Sequence, residues 1–188
     1  MAGTLREPML EMGEDLFLRM GYAGVGLRDV LSALKTSKGG FYHFFESKER
    51  FAEAVMERYL ERRLAAMEAH FSNTTSLSGF LTWFRDDWRA QVAADYVPRC
   101  LVARFASDIG AGYPLASVQT GYDRLSATFS EAVGLGQKAG WLYAEIQPLV
   151  AANHLINLWQ GATTRARVEL HDTAPMAALA HLEAWLKP

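Results

Sequence analysis

The chain has 188 residues, half of them hydrophobic, and 19 Lys or Arg against 21 Asp or Glu, which gives a formal net charge of −2. This length supplies a substantial core, but the near-neutral charge excludes strong binding to nucleic acid by bulk electrostatics. The single cysteine excludes an intrachain disulfide, and no apolar run approaches the roughly 20 residues of a membrane span, so we expect a cytoplasmic protein without a membrane partner.

Hydrophobic spacing predicts helices along the whole chain and no convincing β-hairpin. The first helix should run from about Pro8 to Met20 and end at Gly21. Two short helices follow, at 27–34 and 38–45, and a long helix then covers 48–71. The next helix spans about 77–94, and each of the last four is expected to open near a proline. These prolines are Pro98, Pro114, Pro148 and Pro175. The total is about nine helices.

The two short helices and the polar turn between them form a helix-turn-helix pattern. Ser37 has the side-chain oxygen to cap the second helix. Gly39 and Gly40 each cost about 1 kcal/mol relative to alanine in a helix interior, which is reasonable where a backbone must approach another molecule closely. The second helix is therefore predicted to enter the major groove of DNA.

Several short motifs around this pattern resemble, in order and spacing, the N-terminal domain of TetR-family transcriptional regulators. They are Gly21-Tyr22, Arg28-Asp29-Val30, Ser37-Lys38-Gly39, Phe41-Tyr42-His43, Phe45 and Ser47-Lys48-Glu49. The resemblance implies an all-α, TetR-like fold with a three-helix DNA-binding domain at 1–47, whose helix-turn-helix covers about 26–45. It also implies a ligand-sensing and dimerisation domain at 48–188, joined through the long helix. Two departures are Gly26, where the family usually has threonine or serine, and Lys35-Thr36, where it usually has Gly-Val.

The expected partner is a palindromic double-stranded operator, read by a homodimer. Lys38, Gly40 and Tyr42 should lie nearest the bases, and His43 and Lys48 should contact phosphates. The full set of expected DNA-binding residues is Arg28, Thr36, Ser37, Lys38, Gly39, Gly40, Tyr42, His43 and Lys48.

The later part of the chain resembles a branch of the family that responds to electrophiles and oxidants through a cysteine. The matching segments are Arg99-Cys100-Leu101-Val102, Gln160-Gly161-Ala162 and Arg165-Ala166-Arg167-Val168. If Pro98 opens a helix, Cys100 lies in its first turn, where free amides, the helix dipole and Arg104 should lower the thiol pKa. Arg99 and Arg167 replace the glycine and lysine of that branch, so a lysine amine near the thiol is not available. Cys100 could equally be a structural, buried residue.

An unknown small-molecule or electrophile effector is the other expected partner. Its predicted binding residues are Cys100, Arg104, Trp83, Trp88, Phe105, Tyr122 and Trp159, although each aromatic side chain could instead belong to the core. A reversible hydrophobic or aromatic ligand is the alternative to a thiol reagent. The final two helices are expected to form the dimer surface, through Leu155, Leu158, Ala162, Leu179, Leu182 and Leu186.

Enzymatic activity is not expected. The five histidines, at 43, 70, 154, 171 and 181, show no metal-ligand spacing, and no glycine-rich phosphate loop follows a strand, so we predict neither a metal site nor a cofactor. A helical enzyme or interaction protein that keeps the DNA-binding domain is a remote alternative. The sequence predicts a repressor that an effector, or modification of Cys100, releases from DNA.

Overall fold

A computed structural model of the chain describes residues 3–110 and 112–188, with side chains from Arg6 onward. Over these ranges the chain forms nine α-helices and no β-strand, which confirms the predicted all-α class. The helices are α1 (Gly3–Gly24), α2 (Leu27–Ala33), α3 (Lys38–Phe44), α4 (Lys48–Ser72), α5 (Leu77–Ala93), α6 (Leu101–Ala106), α7 (Leu115–Lys138), α8 (Pro148–Glu169) and α9 (Thr173–Leu186). None of them, within the described ranges, is long and apolar enough to cross a membrane.

The chain divides into two compact units. The first unit comprises Met1–Arg62 and Pro98–Gly121, and the second comprises Arg63–Val97 and Tyr122–Pro188. Helices α4 and α7 therefore each contribute residues to both units. The first unit also includes α6, although this helix begins more than fifty residues after the predicted domain boundary at 47/48. The boundary between the DNA-binding domain and the ligand-sensing domain stays a prediction.

Aromatic side chains form the core of the first unit. Phe17 of α1 lies at its centre, with ring centroids 5.8 Å from Phe51 of α4 and 5.3 Å from Phe105 of α6. Phe41 of α3 joins them at 5.5 Å from Phe51, and all four side chains are fully buried. This aromatic cluster thus connects α3 to α1, α4 and α6. A helix of seven residues is only marginally stable by itself, so this packing stabilises α3 and fixes its position.

The second unit buries aromatic rings and one polar cluster. Phe84 of α5 stacks on Phe129 of α7, with centroids 5.6 Å apart, and meets the edge of Trp159 of α8 at 5.3 Å. Beside them lies Asp87, whose carboxylate accepts hydrogen bonds from Trp159 Nε1 at 2.9 Å and from an Nη of Arg63 at 2.9 Å. A charge in this core is tolerated because its oxygens are hydrogen-bonded.

The prolines mark helix starts less uniformly than predicted. Pro148 is the first residue of α8, as predicted, but Pro175 is the third residue of α9, and α6 starts three residues after Pro98. Pro8 lies inside α1, which begins at Gly3. The first four N–H groups of a helix have no partner within it, so proline is tolerated at these positions, as at the third residue of α9, and does not define the start. Pro8 is the sixth residue of α1, beyond these positions, where its lack of an N–H removes one backbone hydrogen bond from the helix. The predicted break at Gly21 is present, since its φ of 74° and ψ of 174° interrupt α1.

Candidate nucleic-acid interface

The turn between α2 and α3 is closed by a left-handed residue. Lys35 has a φ of 48°, and the N–H groups of Lys35 and Thr36 donate to the carbonyls of Ser32 and Leu31 at 3.2 and 3.1 Å. Glycine, which the resembled family usually has at this position, adopts this conformation without a steric cost. The chain therefore carries a local strain in the turn itself.

The N-termini of the two short helices differ. Ser37 Oγ accepts a hydrogen bond from the N–H of Gly40 at 3.1 Å, which confirms the predicted cap of α3. Gly26 has no side chain to cap α2, and the carboxylate of Asp29 instead accepts from the N–H of Gly26 at 2.7 Å. The missing threonine or serine at Gly26 thus leaves only one half of a capping box.

Helix α3 buries one side and exposes the other. Phe41 is fully buried, whereas Lys38, Gly39, Tyr42 and His43 are exposed, with 45% of Tyr42 accessible. Residues three and four apart share a helix face, so these exposed positions form one continuous surface. The remaining predicted residues of the motif lie in the same segment, Arg28 and Ser37 exposed and Thr36 and Gly40 partly so. This surface offers an ammonium, a phenol and an imidazole as hydrogen-bond donors.

The two glycines of α3 differ in their surroundings. A Cβ at Gly40 would lie 2.5 Å from Thr36 Oγ1, so a larger residue there would require the Thr36 side chain to move. A Cβ at Gly39 would meet nothing nearer than Ser37 Oγ at 3.9 Å. Because nothing inside the chain demands a glycine at position 39, close approach to another molecule is the better explanation for that residue.

Lys48 has a different environment from the one predicted. Its ammonium donates to the carbonyls of Tyr22 and Val25 at 3.1 and 2.8 Å and lies 3.9 Å from the Tyr22 ring centroid. Burial lowers the pKa of Lys48. The predicted phosphate contact is corrected by this geometry, because the ammonium is directed at the end of α1. Lys48 positions the helix-turn-helix against α4.

Tyr22 completes the junction of α1 and α4, and sequence reasoning missed its role. Its hydroxyl donates to Glu49 Oε1 at 2.8 Å, and burial, with a further contribution from Glu49, raises the pKa of Tyr22. Hydrogen bonds from Ser47 and then from its own backbone and Tyr22 lower the pKa of the Glu49 carboxyl. The only available signal was the presence of Gly21-Tyr22 and Ser47-Lys48-Glu49 among the family-like motifs.

Helix α6 contacts the same end of α1. Asp108, just after α6, accepts a hydrogen bond from the N–H of Ala23 at 3.2 Å and forms an ion pair with Arg104 at 3.7 Å. A Cβ at Gly21 would lie 2.5 Å from Arg104 Cζ, so this packing and the positive φ both require glycine. The segment that precedes α2 is therefore held by α6.

Cys100 was predicted to lie in the first turn of a helix that begins at Pro98, and this prediction is wrong. It is the N-cap residue of α6, in extended conformation, and its sulfur accepts from the N–H of Ala103 at 3.5 Å. The shift arises because Pro98 and Arg99 remain outside the helix, where the Tyr59 hydroxyl donates to the Arg99 carbonyl at 2.8 Å. The thiol is neither fully buried nor fully exposed.

The predicted effector residues fall into both units. Cys100, Arg104 and Phe105 belong to the first, where Phe105 is a core residue. The others, Trp83, Trp88, Tyr122 and Trp159, belong to the second. There Tyr122 donates to Gln160 Oε1 at 3.0 Å and Trp83 stacks on the Arg63 guanidinium at 4.5 Å. A surface cleft of about 630 Å³ in the second unit is lined by other residues of α4 and α7. A shared effector site for the predicted set stays a prediction.

Four of the six predicted dimer residues lie in the core of the second unit. Leu155, Leu179, Leu182 and Leu186 are at most 4% exposed in the single chain, so they cannot form a surface for a second copy. Leu158 and Ala162 are partly exposed. The correction has a simple cause, since the strongest apolar stripe of each helix packs on its own unit first. The opposite side, here termed the α8–α9 outer face, comprises Val150, Asn153, His154, Asn157, Leu158, Gly161, Ala162 and Val168 with Ala177, Ala180, His181 and Ala184.

A short, capped and exposed helix, which follows a four-residue turn on an all-helical body, defines the class of this molecule. It is a helix-turn-helix DNA-binding protein.

Comparisons with known proteins agree with this class. Residues 9–55 match the family model described as bacterial regulatory proteins, tetR family. The repressor DhaR of Mycobacterium sp. strain GP1 is 26% identical over 88% of this chain and 83% of its own length. The repressor NemR of Escherichia coli K12 is 27% identical over 95% of this chain and 92% of its own length. The reduced form of E. coli NemR has a TM-score of 0.89 at 25% identity, with 98% of each chain covered. The chain thus matches the tetR family model over residues 9–55 and is similar along most of its length to transcriptional repressors of the helix-turn-helix type, DhaR and NemR among them.

Proposed function

We propose that the protein is a homodimeric transcriptional repressor that is released from its operator by a small-molecule effector or by modification of Cys100. The observation that carries the proposal is the exposed face of α3, with Lys38, Tyr42 and His43 projecting from a helix whose other side is anchored in the core. Two relatives, DhaR and NemR, are named repressors, which supports the same direction of control here.

Dimerisation is proposed through the α8–α9 outer face. It combines small residues such as Gly161 and Ala180 with exposed apolar ones such as Val150 and Val168, of which 55% and 82% are accessible. A self-complementary contact between two copies would cover these side chains. Each copy then reads one half-site, and the two α3 helices must lie about 34–36 Å apart, one turn of DNA.

Release through Cys100 is proposed to act by way of α6. Addition of the Cys100 thiol to an activated C=C bond breaks the π bond, forms an S–C bond and transfers the thiol proton to the neighbouring carbon. The added group is bulky and would displace the sulfur from the N–H of Ala103 that it caps. Loss of a cap costs about 1 kcal/mol. Because Asp108, which follows α6, holds Ala23 just before α2, a shift of α6 would displace the helix-turn-helix. A change of about 1.4 kcal/mol in such an equilibrium alters DNA occupancy tenfold.

The test is a footprint on the gene's own upstream region, with wild type and Cys100→Ser, each with and without N-ethylmaleimide. The proposal expects protection by both proteins, lost on alkylation of the wild type only. Loss in neither would assign release to a reversible ligand, for which Trp83, Trp88, Tyr122 and Trp159 are the proposed contacts. Absence of protection by the untreated wild type would contradict the repressor itself. Sedimentation would show dimers for the wild type, and a Gly161→Arg variant should shift them toward monomers.

A further inference from the structure

The surface cleft of the second unit lies between α4 and α7. Its volume of about 630 Å³ falls within the range of about 300–1,000 Å³ that is usual for small-molecule sites. Four side chains with the spacing i, i+3, i+4 and i+7 line it from α4, starting at Ala65, and four with the same spacing line it from α7, starting at Thr128. Each helix therefore presents one continuous face to the cleft. None of these residues belongs to the α8–α9 outer face, so the proposed dimer contact does not cover them.

The bottom of the cleft is apolar. Phe71 and Ala132 line it and are only 5% and 4% exposed, whereas most of the other lining residues are exposed. The Phe71 ring is held by Phe129, with centroids 5.6 Å apart. Nearer the surface, Leu135 lines the cleft with 46% of its side chain accessible. The cleft thus offers aromatic and aliphatic contacts to a hydrophobic ligand.

The charged groups of the cleft are all acidic. Glu68 of α4 and Glu131 of α7 contribute one carboxylate from each helix, and no lining residue is Lys, Arg or His. Neither carboxylate forms an ion pair or a hydrogen bond with any residue of the described ranges. Both side chains are exposed, so a solute can reach them. This arrangement is complementary to a cation and repels an anionic ligand.

We propose that the cleft binds one hydrophobic organic cation, such as a quaternary ammonium or phosphonium ion with apolar substituents. Glu68 and Glu131 balance its charge, while its apolar groups contact Phe71 and Leu135. An aromatic ring such as Phe71 also attracts cations of this kind. A metal ion fits less well, because the described residues hold no set of metal ligands. A polyamine would match the carboxylates but would leave the apolar surface without a contact.

The test uses tetraphenylphosphonium and tetraphenylborate, which have the same shape and opposite charge, titrated by calorimetry into the full-length protein. We expect the wild type to bind one phosphonium ion per chain and not the borate. Glu68→Gln and Glu131→Gln keep the size of each side chain and remove its charge. Each should weaken phosphonium binding by about three- to fivefold, and the double variant by about tenfold, since ion pairs at exposed carboxylates are individually modest.

Two matched variants of α4 test the location of the site. Ala69 and Ala66 are both exposed and lie three positions apart, but only Ala69 lines the cleft. Ala69→Arg places a long cationic side chain in the cleft and should weaken phosphonium binding by about tenfold or more. Ala66→Arg adds the same side chain outside the cleft and should leave binding nearly unchanged. Circular dichroism verifies that each variant is folded, and the Gln variants decide the question if Ala69→Arg is not.

Four results would overturn the proposal. They are no phosphonium binding by the wild type, equal or tighter binding of the borate, undiminished binding by the double Gln variant, and the same loss in both Arg variants. Spermidine binding tighter than that of the phosphonium would contradict the role of the apolar surface. Because every readout is obtained without DNA, failure of this site would leave the proposed repressor function intact, and a failed footprint would leave the site intact.

Discussion

Replacement of Asp87 should destabilise the second unit more than any surface change on the same helix. Its side chain is 5% exposed, and both carboxylate oxygens are in use. One accepts from an Nη of Arg63 at 2.9 Å, and the other accepts from Gln91 Nε2 at 3.0 Å and from Trp159 Nε1 at 2.9 Å. Three donors from α4, α5 and α8 therefore converge on one anion.

The expected magnitude follows from what Asp87→Ala leaves behind. The guanidinium of Arg63, only 16% exposed, loses this carboxylate, and the Trp159 indole and Gln91 amide lose an acceptor that water cannot readily replace. Breaking a buried ion pair from one side costs about 3–5 kcal/mol. Asp87→Asn keeps the shape and one acceptor oxygen, so we expect it to cost about 1–3 kcal/mol.

The measurement is urea unfolding followed by tryptophan fluorescence and circular dichroism. Asp86→Ala is the matched control, since Asp86 directly precedes Asp87 on α5. Its side chain is 61% exposed and forms an ion pair with Arg89. An exposed pair of this kind contributes about 0–1 kcal/mol. If Asp87→Ala proved no more costly than Asp86→Ala, the assignment of Asp87 as a structural anion would be wrong.

Three further predictions concern the first unit, each checked by chemical denaturation. Gly13→Ala should destabilise by about 1–2 kcal/mol net, because its Cβ would lie 2.4 Å from Cζ of the buried Phe51, and unchanged stability would contradict that packing. Lys35→Gly should stabilise by about 1 kcal/mol by removing the side chain from a left-handed residue, and a loss of stability would argue against strain in the turn. Ser37→Ala should cost about 1 kcal/mol and speed hydrogen exchange of the Gly40 amide, whereas unaltered exchange would exclude the cap.

The helix-turn-helix could be predicted because its determinants are local. The cap at Ser37 and the break at Gly21 follow from residue types within a few positions. The left-handed φ of Lys35 is the exception, since nothing in a lysine indicates that conformation. It could be inferred only by asking why relatives place a glycine there.

Four of the six residues predicted for the dimer surface lie in the core of the second unit, because periodicity identifies an apolar stripe but not its partner. Leu155 and Leu182 lie on the strongest stripes of α8 and α9, and these stripes pack within the second unit. The outer face mixes small, polar and isolated apolar residues, such as Asn157 and Ala180, which resemble an ordinary solvated surface in the sequence. Exposure in the folded chain was needed to distinguish this face from the buried stripe.

Contacts between distant segments were also beyond prediction. Lys48 was expected to bind phosphate from its place at the start of the long helix, but its acceptors are carbonyls more than twenty residues earlier. The contact between His154 and His181 could not be predicted either, because the two residues lie on separate helices. In both cases the chemistry of the side chain was evident, whereas its partner depended on tertiary packing.

The central claim is that the exposed face of α3 reads DNA, and fluorescence anisotropy on the gene's own upstream region tests it most directly. At near-physiological salt the wild type should prefer this fragment to a scrambled one of equal length. Lys38→Ala and Tyr42→Ala should each weaken specific binding by about 5–150-fold, whereas Lys138→Ala, which removes the same charge as Lys38→Ala from the last residue of α7, should leave it nearly unchanged. Equal binding of both fragments by the wild type, or wild-type affinity in the Lys38 and Tyr42 variants, would contradict the account.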